Sequence, residues 1–121
     1  MRRERTNTPL QALLLMNDPQ YVEAARYLAQ KVIDNEDNDK LRLKFLFETA
    51  LNRHPTSIES NLLIESLRAH RQEFDSHQEN AKQLIAIGEQ PATGNHDPVE
   101  LAAWTMMANL VMNMDEFVSK N

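Results

Sequence analysis

The sequence contains no cysteine, which excludes disulfides, a thiolate nucleophile, a cysteine-built zinc site and thioether-linked haem. Glycine is almost as scarce: only Gly88 and Gly94 occur in 121 residues, and few stretches are β-branched. Sheets need turns with positive φ and strands rich in Val, Ile and Thr, so this shortage argues for helices. Basic charge is short as well. Thirteen Lys and Arg face eighteen Asp and Glu, for a net charge of −5, which opposes a nucleic-acid role because phosphate binding needs a basic face. No apolar run approaches the length of a membrane span.

What remains is one domain's worth of chain, 41% hydrophobic and 26% charged, long enough to bury a core without metals. Its start, "RRERTNTPLQALLLMNDP", sets arginines before an apolar run in the manner of an export signal. The run from Leu10 to Met16 is interrupted by Gln11 and leads into Asn17-Asp18-Pro19 in place of a small-residue cleavage site, so it is not read as one.

Proline marks helix starts. Thr8-Pro9, Asp18-Pro19 and Asp97-Pro98 each set a capping side chain before a proline at the first helical position. Thr56 with Glu59, and Ser76 with Glu79, have the spacing of capping boxes. These signals predict an all-α fold, a compact bundle of about six helices over roughly 9–16, 19–33, 40–52, 57–74, 77–87 and 98–112. The second buries Val22, Ala25, Leu28, Ala29 and Val32; the third Leu43, Leu46, Phe47, Ala50 and Leu51. The fourth turns Ile58, Leu62, Leu63, Leu67 and Phe74 inward, and the fifth Ala81, Leu84 and Ile85 before stopping at Gly88. Between the second and third, "DNEDND" (Asp34 to Asp39) has no apolar residue and is expected as an exposed turn. Two helices lack a wet face. "LAAWTMMANLVM" (Leu101 to Met112) has only Thr105 and Asn109 as polar members, and the first helix is apolar nearly all round. Such helices belong at the centre or under a cover, so the first and last are expected to be central. Leu14, Trp104 and Met107 become interface candidates, and self-association of the chain is expected.

Arg3, Arg5, Asn7 and Thr8, with Arg2, precede a helix start whose N–H groups favour an anion or an acidic partner. Other groupings are weaker. His70, Glu73 and His77 lie at i, i+3 and i+7, and the histidines sit about 10 Å apart along a helix, too far for one zinc ion; they are expected as exposed surface residues. The acidic connector lacks the glycine and the distal glutamate of a calcium loop. Asp115 and Glu116 point apart, and the methionines from Met106 to Met114 fit a plain core. No metal, cofactor or catalytic constellation is assigned, and enzymatic activity is left open.

Three segments carry a family resemblance. "RRERTNTPLQALLLMNDPQYVEAAR", "FETALNRHPTSIE" and "ELAAWTMMANLVMNMDEFVSKN" resemble the C-terminal part of the planctomycete surface domain family, known as domain of unknown function 1553. The resemblance implies that residues 1–121 form a single helical domain at the end of a longer, exported protein of the periplasm or cell surface, and that Met1 is a truncation point or an internal start. Family members often carry a cytochrome c-like domain, whose Cys-x-x-Cys-His site this sequence lacks. The function this implies is non-catalytic packing or protein interaction, with upstream domains or another protein as partner. The alternative is a contribution, through Arg5 and Asn7, to a polysaccharide-related or redox active site completed upstream.

Overall fold

A proline costs a helix nothing at its first position, where its missing N–H has no partner, and two helices open on one. The computed structural model describes residues 19–88 and 94–119, with side chains through 114. Among the described residues there are five helices and no strand: α1 (Pro19–Asn35), α2 (Asp39–Leu51), α3 (Ser57–Ser76), α4 (Gln78–Ile85) and α5 (Pro98–Ser119). The described residues are therefore all-helical, with five helices where about six were expected for the chain. The expected helix over 9–16, and its central position, lie outside the described residues.

The last helix is the axis of the fold. Every side chain from Leu101 to Asn109 is buried, as is Val111, and α5 packs against each of the other four helices. The two polar residues of this buried stretch each make a bond within the helix, while the Asn109 Nδ2 has no partner among the described residues. Thr105 donates its hydroxyl to the Leu101 carbonyl at 2.7 Å, and Asn109 accepts from the Asn113 amide at 3.0 Å. Against this axis α1 sets Val22, Ala25, Ala29 and Val32, with Leu28 at the margin. From α2 come Leu43, Leu46 and Phe47, from α3 Leu63, Leu67 and Phe74, and from α4 Ala81 and Leu84.

Four local expectations change. Ile58 and Leu62, expected inward, are 73% and 66% exposed. Each residue turns an α-helix by about 100°, which carries Leu62 about 140° away from Leu67 and puts the pair on the outer face. Ser76 makes no capping box. It is the last residue of α3, and His77 joins the two helices, donating its N–H to the Glu73 carbonyl at 3.0 Å with no side-chain cap for α4. Gly88 does not itself end α4, which stops at Ile85 in two tight turns. Its φ of +105° carries the chain over Glu23, where an added Cβ would lie 2.6 Å from the Glu23 carboxyl carbon. Finally, α2 starts one residue early, on an unexpected cap: Asn38 accepts from the Lys40 and Leu41 N–H groups at 2.8 and 3.3 Å.

Arg26 is the one fully buried charged side chain among the described residues. Its Nη1 donates to the Ile85 carbonyl at 2.9 Å, a terminal acceptor of α4, where the helix dipole favours a cation. With Glu23 beneath Gly88, Arg26 pins the exit of α4 onto α1.

Candidate interaction site

The corner between α2 and α3 is the Arg53-His54-Pro55-Thr56 turn. Asn52 enters it in the left-handed region (φ 59°), which asparagine tolerates, and its N–H closes α2 on the Glu48 carbonyl at 3.1 Å. The Thr56 hydroxyl accepts from the Glu59 N–H at 3.1 Å while the Glu59 carboxylate accepts from the Thr56 N–H at 2.9 Å, so the expected box is formed. Arg53 grips the same carboxylate with both Nη atoms at 2.8 Å and lies over the Phe47 ring, 5.2 Å from its centroid. The Arg53 fork, and then the Thr56 N–H, hold the Glu59 carboxyl down at about 2. His54 Nε2 meets Glu48 Oε2 at 2.6 Å. Arg53 and Glu59 neutralise each other, whereas His54 meets the Glu48 carboxylate as an ion pair only when it is protonated.

Beside this turn a cleft of about 500 Å³ opens, lined by Lys40 and Lys44 on α2 and by Pro55, Thr56, Ser60 and Asn61 at the start of α3. The two lysines are one helical turn apart and, among the described residues, neither ammonium has a hydrogen bond or an ion pair. Ile58 and Leu62 stand exposed on the same turns of α3 as Ser57 and Asn61, and Leu41, 48% exposed, neighbours Lys40.

The start of α2, where Asp39 precedes Lys40, is tied to two other helices by matched charges. Arg71 of α3 forks onto Asp39, the first residue of α2, with both contacts at 2.8 Å, and onto Glu100 in the first turn of α5 at 2.6 and 2.8 Å. Arg42 adds a 3.5 Å contact to Glu100 and donates to the Glu36 carbonyl at 2.6 Å. The Arg71 fork holds the Asp39 carboxyl below its usual range, and the two carboxylates raise Arg71. A second cleft, of about 560 Å³, lies against this cluster and is lined by Arg68, Asp75, Gln78, Asp97 and Val99. Arg71 and Glu100 in its wall are matched to each other, while Arg68 and Asp75 make no ion pair among the described residues.

No group of His, Asp and Glu that could hold a metal ion occurs among the described residues. His77 is exposed beside Glu73, but His70 is half-buried, against expectation, and burial lowers its pKa while Glu73 opposes the shift. His96 is mostly covered and bonds Asp34 at 2.8 Å, tying the end of α1 to the segment before α5. Arg3, Arg5, Asn7, Thr8 and Leu14 lie outside the described residues. Trp104 and Met107, expected at an interface, have no exposed surface, because contacts within the bundle take it up. The lysine cleft escaped the sequence, although the turn that builds its floor stood out there.

The family comparison adds to this geometry. Residues 1–67, more than half of the chain, match the sequence profile of PSD1, described as a protein of unknown function (DUF1553). The chain belongs to this family. The PSD1 match spans α1, α2 and the first half of α3, and so includes the corner, its cleft and the exposed Ile58 and Leu62. No curated protein and no solved structure matches the chain. No described helix is long and apolar enough to cross a membrane.

Proposed function

We propose that this chain is a non-catalytic helical domain that packs against or binds protein, as the closing part of a larger exported protein of the planctomycete type. One observation carries the reading: Ile58 and Leu62, one turn apart on α3, are 73% and 66% exposed, and Leu41 of α2 is 48% exposed, so large aliphatic side chains are left uncovered by the rest of the bundle. Exposed aliphatics scattered singly are ordinary, but two neighbours at i and i+4 on one helix make a continuous apolar strip, as contact surfaces do. The core supports the same view, since the stretch of α5 from Leu101 to Asn109 is filled with packing side chains.

Hydrogen exchange tests the reading. Amides of residues 40–62 should exchange more slowly in the longer natural protein than in residues 1–121 alone, with α5 equally protected in both. Identical exchange over the whole surface in the two would overturn it.

A further inference from the structure

We propose that an open strip on α5, formed by Leu110 and Met114, is the docking surface of the chain's own apolar segment Leu10 to Met16. That segment lies outside the described residues, and the strip is on another helix than Ile58 and Leu62.

The cover of α5 fails along one line. Met106, Leu110 and Met114 succeed one another at i and i+4, one above the next on the helix. Met106 is 9% exposed, Leu110 is 39% exposed and Met114 is half-buried. Met107 and Val111, on the adjoining side, have no exposed surface. The other described helices therefore close round α5 as far as Asn109 and leave one side open beyond it.

Chain direction brings the segment to this strip. His96, just before α5, bonds Asp34 near the end of α1 at 2.8 Å, and α1 packs along α5, so the two helices run antiparallel. Pro19 lies fifteen residues before Asp34, about 22 Å of helix, and Asn113 lies as far beyond Pro98. The first turn of α1 thus comes level with Leu110 and Met114. Only Asn17 and Asp18 separate Met16 from Pro19, so the segment joins the fold at the height of the open strip.

Chemistry and area favour this occupant over a separate partner. From Leu10 to Met16 the chain has six apolar residues and one glutamine, with no charge to bury. A leucine and a methionine, each partly exposed, offer a small fraction of the about 800 Å² per partner in a standard interface. A second copy or a free protein gains too little there. A segment tethered a few residues away is held at an effective concentration on the order of millimolar, and a small apolar contact then suffices.

The 121-residue chain has no cysteine, so one introduced thiol reports on one position. The thiol of Leu110→Cys should react with a maleimide at least tenfold more slowly than that of Leu62→Cys, a position 66% exposed. Adding Leu13→Asp with Leu14→Asp should raise the rate at position 110 at least tenfold and leave position 62 unchanged. Among oxidised variants pairing Leu110→Cys with Leu10→Cys, Leu13→Cys, Leu14→Cys or Met16→Cys, at least one should form an intrachain disulfide. Circular dichroism checks that the helices remain. Equal rates at position 110 with and without the aspartates overturn the proposal, and so does the lack of any intrachain disulfide. A rise at both positions alike would show a loosened bundle and overturn it too. Protection at position 110 that fades on dilution would give the strip to a second copy, with the same consequence.

Discussion

Two arginines in this chain fork onto carboxylates with nearly the same geometry, and they do different things. Arg53 reaches Glu59 six residues away and locks a turn that its own neighbours have already shaped. Arg71 reaches Asp39 and Glu100, 32 and 29 residues away, and ties the first turns of two helices to the side of a third. Local caps and turns contribute to stability even when the rest of the fold is loosened. A tertiary tie contributes only once the bundle has closed, and it leaves charges stranded if one partner is lost.

The sharpest way to separate the two forks is to remove the distant one. Arg71→Ala should destabilise the fold by about 2 kcal/mol, below what full burial would give because Arg71, Asp39 and Glu100 are each about a third exposed. Urea unfolding with a double-mutant cycle on Asp39→Ala checks this, and additive effects would mean that the fork contributes no coupling. Next in size comes the turn itself. Thr56→Ala should cost about 1 kcal/mol by releasing the Glu59 N–H and loosening the box. An unchanged urea midpoint would show that the turn holds without its cap.

Acid should then reveal the local fork. Glu59 has a folded pKa of about 2 against an ordinary 4.5, so its contribution is present above the ordinary value and is lost as pH falls through the folded one. Between about pH 4.5 and 2 the wild-type chain should lose stability faster than an Arg53→Ala variant, as read from melting temperature against pH. Parallel curves would mean that the fork does not set the Glu59 titration. The smallest effect is expected at Ser76, whose side chain caps nothing: Ser76→Ala should stay within about 0.5 kcal/mol of wild type. A loss as large as that of Thr56→Ala would restore the second capping box.

The Thr56 and Ser76 boxes show how far local pattern reaches. Both have the same residue types at the same spacing, yet only Thr56 caps. Its turn is preceded by Asn52 in the left-handed region and by Pro55, which together break the chain before α3. No such break precedes Ser76, so α3 continues through it and His77 becomes the joint. The apolar pattern was legible in the same way: Val22, Ala25, Ala29 and Val32, or Leu43, Leu46 and Phe47, lie on one stripe at helical spacing, and the structure buries them. Ile58 and Leu62 satisfied the letter of that pattern on the wrong side of the helix. Composition identified them as apolar, but only the position of α5 decided which side of α3 was inside.

The sequence alone thus determined the class of this protein, the positions of its caps at Thr56 and Asp97, and the centrality of the apolar α5, because helical period, capping chemistry and hydrophobicity act within a few residues. Tertiary structure decided which arginine spans three helices, which one is buried against the end of α4, and that Ile58 and Leu62 face outward. Those outcomes depend on which helix faces meet after the chain has folded back on itself, a geometric relation between residues far apart in sequence that no local spacing encodes.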